Sequence, residues 1–194
     1  MSKDFITGNL FLGDESAIKR FGRPFSSVNE MDYTIIRNWN RVVGEDDFVM
    51  VLGNMFSNNT LPVSKYRSFL NGAIVYIDLE DSHCAWFADC KEEKEVNGQP
   101  IMYYDDTDEC IVKALYSRVL AEEYIDGVKK EILYMPVPDS SLKSKESEII
   151  IAGSILSDRD DYYCCATDTN NFTPVTISQL LARDPKETVI IPNY

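Results

Sequence analysis

Apolar side chains recur at helical spacing in one long stretch near the start of the chain. The stretch follows Ser27 and Glu30, a hydroxyl and a carboxylate three residues apart, which is the pattern of a helix capping box. After this cap the apolar positions are Val28, Met31, Ile35, Trp39, Val42 and Val43. The pattern predicts an amphipathic helix that ends at the polar run 44–47.

Short apolar runs on both sides of this helix are typical of buried strands. We predict a strand over 4–12 that runs into a loop, a short helix over 16–21, and apolar strands over 48–52 and 73–79. A second helix is predicted over 63–70, between the two apolar strands. This alternation of strands and helices indicates an α/β fold in the first part of the chain.

The second half of the chain alternates less clearly. Asp126-Gly127 is a turn signal inside 122–135 and predicts a β-hairpin, whereas the polar residues 93–99 predict a turn. The remaining predictions are a helix over 110–119, a polar loop over 138–147, strands over 149–152 and 162–166, a helix over 177–182 and a last strand over 188–191. No repeat or linker divides the chain, so we predict one domain over residues 1–194.

The composition is acidic, which limits the partners that we expect. The 194 residues include 32 acidic and 19 basic side chains, for a net charge of −13 at pH 7. Such a charge repels phosphate, so we do not expect nucleic acid or an anionic membrane as a partner. The sequence has no apolar run of membrane-spanning length and no signal-peptide pattern at its start, so we expect a cytoplasmic protein. Its five cysteines form no CxxC pair and indicate neither a zinc site nor a disulfide framework.

Two stretches of the sequence carry a family pattern. The first, over 6–55, contains Arg23-Pro24-Phe25, Met31-Asp32, Asn38-Trp39-Asn40, Asp46-Asp47 and Leu52-Gly53. The second, over 166–181, contains Asp168, Phe172, Pro174, Val175 and Leu180. Both resemble the small phage and bacterial members of the calcineurin-like metallophosphoesterase family. The resemblance implies that family's α/β fold, a sandwich of two mixed sheets packed face to face with helices outside.

The same resemblance implies where a metal site would lie. Enzymes of this family bind two metal ions through Asp, Asn and His, and the ions activate a water for attack on phosphorus. Carried over by position, the ligand positions fall on Asn9, Phe11, Asp14, Asn54, Glu80, Asp81, Pro136, Ser154 and Leu156. The chain has a single histidine, His83, where the family pattern requires several. We therefore identify the chain as a degenerate member of the family that lacks the metal-ligand motifs.

This loss of ligands determines the function that we expect. Asn9 and Asn54 are neutral where the family has carboxylates, and Phe11 and Leu156 would set apolar groups against an ion. Without a metal ion, the pKa of water stays far above 7, so little hydroxide forms at neutral pH and the reaction has no nucleophile. We therefore expect no catalytic residue, no cofactor and a binding or interaction role, with a protein as the partner.

A rebuilt metal site is the first alternative. The carboxylates of Asp14, Asp78, Glu80 and Asp81 could form an oxygen-only Mg²⁺ or Ca²⁺ site in a divergent phosphoesterase.

Two further alternatives need no metal ion. A surviving cleft at the carboxyl ends of the strands could bind a small molecule or nucleotide through Asn9, Asn54, Asn58 and Ser154. The negative charge also fits an acidic inhibitor or a nucleic-acid mimic of phage or mobile-element origin, and a homo-oligomer is compatible with the sequence.

Overall fold

The computed structural model describes most of the chain. It covers residues 2–56, 61, 63–78, 92–96, 99–106, 109–115, 118–138, 148–155 and 161–191. For residues 63–64, 78, 92–96, 99–106, 109–115 and 148 it describes the backbone alone.

Strands and helices alternate through the first half of the chain, and strands dominate the second half. The first half contains β1 (Asp4–Gly8), α1 (Glu15–Phe21), α2 (Val28–Val42), β2 (Phe48–Leu52), α3 (Val63–Arg67) and β3 (Ala73–Asp78). The strands that follow are β4 (Glu92–Val96), β5 (Gln99–Asp106), β6 (Glu109–Leu115), β7 (Val119–Ile125), β8 (Val128–Met135) and β9 (Glu148–Ala152). The chain continues with β10 (Tyr163–Cys164), a 3-10 turn (Thr167–Asn170), β11 (Val175–Thr176), α4 (Ile177–Leu181) and α5 (Pro185–Thr188).

The strands form two mixed sheets. In the larger sheet the order is β11-β1-β2-β3-β6-β5-β4, with β1, β2, β3 and β6 parallel to one another. In the smaller sheet the order is β10-β9-β8-β7, and only β7 runs antiparallel to its neighbour. The predicted α/β class is therefore confirmed.

Alternating side chains of the larger sheet enter two separate apolar layers, as the two-residue period of a strand requires. One layer packs against α2, whose Met31, Ile35 and Trp39 are fully buried. Burying three side chains of this size contributes roughly 1.5–3 kcal/mol each. In the other layer, Ile6 and Leu52 of the larger sheet pack with Tyr134 and other residues of the smaller sheet. The two sheets therefore share one core, and α2 covers the opposite face of the larger sheet.

Helix α2 begins and ends where the sequence predicts, although its cap differs in detail. The Ser27 hydroxyl accepts a hydrogen bond from the Glu30 N–H at 3.3 Å, as a capping residue does. The Glu30 carboxylate, however, accepts from the N–H and hydroxyl of Ser26, at 2.8 and 2.6 Å. These bonds lower the pKa of Glu30. At the other end, the Trp39 indole donates to the Asn71 carbonyl at 2.9 Å and joins α2 to the turn before β3.

The hairpin prediction is confirmed. Strands β7 and β8 pair from Val119 with Tyr134 to Ile125 with Val128. Asp126 and Gly127 occupy the turn at φ angles of 52° and 79°. Positive φ at both central residues is the geometry of the tight turn for which an Asp-Gly pair is favoured.

Two predicted elements are wrong in type. The predicted helix 110–119 is instead β6, which lies between β3 and β5 and pairs with both, so sheet pairing determines its conformation. The predicted strand 188–191 is not formed: Thr188 is the last residue of α5, and residues 189–191 are irregular. The Asp184 carboxylate caps this helix by accepting a hydrogen bond from the Lys186 N–H at 2.9 Å. Asp184-Pro185 is a helix start signal, and it accounts for the difference.

Other predictions are wrong in extent. The turn is predicted over 93–99, but β4 extends to Val96 and β5 begins at Gln99, and residues 97–98 between them lie outside the described residues. Strand β1 ends at Gly8 within the predicted strand-and-loop segment 4–12, whereas β10 has only two residues of the predicted strand 162–166. Of the predicted loop 138–147, residues 139–147 lie outside the described residues. Within the described chain, no helix is long and apolar enough to cross a membrane.

Candidate functional site

A cleft lies where the carboxyl ends of β1, β2 and β9 meet. Its volume is about 340 Å³. Among the described residues, its polar lining is Asn9, Asn54, Ser154 and Asp168, and its apolar lining includes Phe11, Phe21, Val137, Ile155 and Ile191. Carboxyl ends of neighbouring parallel strands are the usual place for ligands in α/β sheets.

The Asn9 side chain forms the floor of the cleft and joins three strand ends. Its Nδ2 donates to the Gly153 carbonyl oxygen and to the Ser154 Oγ, both at 2.7 Å. Its Oδ1 accepts from the Asn54 N–H at 3.0 Å. The Ser154 hydroxyl in turn donates to the Pro136 carbonyl at 3.0 Å. One neutral amide therefore ties the ends of β1, β2 and β9 together, and the serine extends the network to β8.

Close backbone approach around this floor requires glycine. A Cβ on Gly153 would lie 2.1 Å from the Leu52 carbonyl oxygen, and one on Gly8 would lie 2.6 Å from the Gly153 Cα. A Cβ on Gly53, which has a φ of 87°, would lie 2.5 Å from the Asn9 Oδ1. The three glycines let the two sheets converge directly beneath the cleft.

An aromatic wall stands on one side of the floor. The rings of Phe11 and Phe21 are stacked, with their centroids 5.0 Å apart and their planes 26° apart. The Arg20 guanidinium carbon lies 4.7 Å from each centroid. A cation over an aromatic face is attracted by the ring quadrupole, so Arg20 holds both rings in place.

A buried ion pair fixes the loop that carries Asn9 and Phe11. Arg23 donates through Nε and Nη2 to the two carboxylate oxygens of Asp168, both at 2.8 Å. The same guanidinium donates to the Leu10 and Asn9 carbonyls at 2.8 and 2.7 Å. Such bidentate pairing satisfies a buried guanidinium and carboxylate together. Asp168 lines the cleft, but its carboxylate is paired with the Arg23 guanidinium.

Asp32 supports the same loop from α2. Its carboxylate accepts from the Gly13 N–H at 2.8 Å and from the Tyr66 hydroxyl at 2.9 Å. Burial raises the pKa of Asp32, and these two hydrogen bonds and the charge of Arg23 oppose that rise. The carboxylate acts here as a structural acceptor.

The structure brings four of the residues singled out in the sequence to one cleft. Asn9, Phe11, Asn54 and Ser154 line it. Pro136 reaches the same network through its carbonyl. Their assignment to the family's ligand positions stays a prediction.

Asp14 does not line the cleft. Its carboxylate caps α1 by accepting from the Ser16 N–H at 2.9 Å, and it also accepts from Arg20 at 3.1 Å. Asp78 ends β3 and is described by its backbone alone, while Asn58, Glu80, Asp81, His83 and Leu156 lie outside the described residues. Among the side chains that the structure describes, no group of three or more His, Cys, Asp or Glu residues could hold a metal ion.

Sequence reasoning gave no role to Arg23, Asp168 or Phe21. Arg23 and Asp168 are 145 positions apart in the sequence, and no local pattern predicts their pairing. Phe21 reads as the last apolar residue of a short helix, and only the fold places it against Phe11.

Two mixed sheets, outer helices and a cleft at the strand ends define this chain as a two-sheet α/β protein. No protein family model matches it. It is similar to the uncharacterized protein MJ1445 of Methanocaldococcus jannaschii, with 37% identity over 79 residues. The match covers 40% of this chain and only 45% of that relative's length.

A solved structure shares the overall fold. It is the crystal structure of AQ665, a protein of unknown function from Aquifex aeolicus, with a TM-score of 0.59. The superposition covers 94% of this chain and 99% of AQ665, at 13% sequence identity. At that identity, the likeness concerns the fold alone.

Proposed function

We propose that this chain is a metallophosphoesterase-like protein that does not hydrolyse phosphoesters and acts by binding a ligand in the cleft. The observation that carries this proposal is the bonding of Asn9. The family resemblance places a metal-binding carboxylate at this position. The Asn9 amide instead donates hydrogen bonds to Gly153 and Ser154 and accepts one from the Asn54 N–H.

The chemistry of the described cleft residues does not fit two metal ions. An amide N–H cannot ligate a cation, and the Asn9 oxygen already accepts a hydrogen bond. The Phe11 ring occupies a position that the resemblance assigns to a histidine, and Asp168 is paired with Arg23. Two-metal sites of this kind are built mainly from carboxylate and imidazole ligands.

The shape of the site favours a ligand over a flat protein surface. Of the two binding roles expected from the sequence, a protein partner and a small ligand, a recessed cleft of about 340 Å³ matches the second. Phe21, Val137 and Ile191 at the cleft are each more than a third exposed, so their apolar surface is open to a ligand.

Metal content and turnover test the proposal together. We would purify the protein without chelator, measure bound Mn, Fe, Zn, Ni and Mg, and assay p-nitrophenyl phosphate and bis(p-nitrophenyl) phosphate with each metal added. We expect substoichiometric metal and no turnover above the blank. Stoichiometric metal with turnover that Asp78→Asn or Asp81→Asn abolishes would overturn the proposal and favour the acid-rich site. Asp126→Asn, in the exposed hairpin turn, is the matched control.

A further inference from the structure

The aromatic wall of the cleft is held in a conformation that its sequence does not favour. Phe11 has a φ of 51°, a region that bulky side chains rarely enter. The stack with Phe21 and the overlying Arg20 hold the ring there. Strained residues of this kind cluster at ligand sites, where they fix a surface before the ligand arrives. The result is a pre-formed apolar wall on one side of the cleft, and its exposed part is mainly Phe21.

The charges at this face are already compensated. Asp168 is the charged residue of the described lining, and it is paired with Arg23 at 2.8 Å. Arg20, whose guanidinium lies against both rings, is paired with Asp14 at 3.1 Å. An ionic ligand would therefore lose its water without gaining an unpaired partner on the described walls, and desolvation of an unpaired charge is costly. The site thus favours an uncharged ligand.

One buried polar atom of a cleft residue lacks a hydrogen bond within the described chain. Asn9 and Ser154 form hydrogen bonds with each other and with the backbone. The buried Oδ1 of Asn54, in contrast, accepts no hydrogen bond from the described residues. A buried amide oxygen without a donor is unfavourable. Since the terminal torsion of Asn is broad, the amide can turn this oxygen toward an N–H in the cleft.

Resting on the proposed binding function, we infer that the cleft takes a neutral, planar aromatic ligand bearing an N–H donor. The ring lies against Phe11 and Phe21, and the donor reaches the Asn54 Oδ1. The cleft volume of about 340 Å³ is that of a site for a small ligand.

Three small probes test the ligand class on the full chain. Benzamide has the planar ring and a neutral amide donor, benzoate replaces that amide with an anion, and cyclohexanecarboxamide keeps the amide but loses the ring. Each is titrated into the ¹⁵N-labelled protein, and the dissociation constant is fitted to amide shifts, including those of the Asn54 side chain. We expect saturable shifts with benzamide and at least tenfold weaker binding of the other two probes.

Two phenylalanine variants locate the site. Phe21 and Phe69 are each 38% exposed and each lie beneath a cation, Arg20 or Lys65, but only Phe21 lines the cleft. Phe21→Leu removes one ring of the wall and should weaken benzamide about two- to tenfold, the range for an aromatic pair. Phe69→Leu should leave the dissociation constant unchanged, with circular dichroism showing that both variants are folded.

The results separate failure of this inference from failure of the proposed function. No benzamide binding, equal binding of benzoate or cyclohexanecarboxamide, or equal effects of the two variants would overturn the ligand class. Metal content and turnover are measured without these probes. A metal-free, inactive protein that does not bind benzamide would therefore contradict this inference but not the proposed function.

Discussion

Replacing Asn9 with aspartate tests whether the cleft floor depends on a neutral amide. The change keeps the shape of the side chain but removes both N–H donors, which lie 2.7 Å from the Gly153 carbonyl and the Ser154 Oγ. Each lost bond costs about 0.5–1.5 kcal/mol net. A carboxylate facing two oxygen acceptors adds an electrostatic penalty, so we expect roughly 2–4 kcal/mol of lost unfolding free energy at pH 7.

Urea denaturation followed by circular dichroism measures this loss. With a slope of about 2 kcal/mol/M, the Asn9→Asp midpoint should fall by roughly 1–2 M. Asn40→Asp is the matched control, since Asn40 also donates to a carbonyl, at 2.6 Å, and accepts from a backbone N–H, at 3.0 Å, but is exposed. In water-exposed surroundings the same exchange should cost less than about 1 kcal/mol.

The pH dependence of the Asn9→Asp variant gives a second, independent check. The facing oxygens should raise the pKa of the introduced carboxyl in the folded state above its unfolded value of about 3.9. The penalty should therefore be smallest below that unfolded pKa, grow as pH rises through the folded pKa, and stay constant above it. Equal stability of the variant and the wild type at pH 7 would refute the argument that the amide donors hold the strand ends together.

Two further predictions concern groups beneath the cleft. Asp168→Asn should lower the free energy of unfolding, measured by urea denaturation, by about 3–5 kcal/mol because it leaves the Arg23 guanidinium buried without its counterion. Asp14→Asn, at the half-exposed pair with Arg20, should lower it by less than about 1 kcal/mol. Similar losses for both variants would contradict the difference in burial between the two pairs. Burial raises the pKa of the Cys164 thiol to about 11, so little reactive thiolate forms at pH 8, and peptide mass spectrometry should find Cys164 unalkylated by iodoacetamide until urea unfolds the protein.

The elements that could be predicted are those whose signals are local. Helix α2 carries its cap and apolar spacing within its own residues, and the Asp126-Gly127 hairpin carries its turn chemistry in two positions. Strand β6 could not be predicted, since only its pairing with β3 and β5 makes residues 109–115 extended. Helix α5 carries a local signal as well, because Asp184 caps the helix and Pro185 is its first residue.

In the candidate site, too, the residues with a local signal could be predicted and the long-range pair could not. Asn9, Asn54 and Ser154 each follow a strand end, and parallel strands bring such positions to one edge of a sheet, so their meeting could be anticipated. The pairing of Arg23 with Asp168 could not, because it depends on how the chain returns after 145 residues. Long-range pairs of this kind have no periodicity to reveal them.

The backbone at position 9 suits a short polar side chain that can bond to the neighbouring strand ends. Asn9 has a φ of 52°, and among residues with a side chain, Asn and Asp tolerate this region best. Exchange between an aspartate and an asparagine therefore leaves the backbone unstrained and changes only the charge and the donors. Gly53 must remain a glycine in this arrangement, because its missing Cβ leaves the space that the Asn9 amide fills. The local conformation therefore favours a short polar side chain at position 9, and the neutral amide lets the strand ends bond to one another.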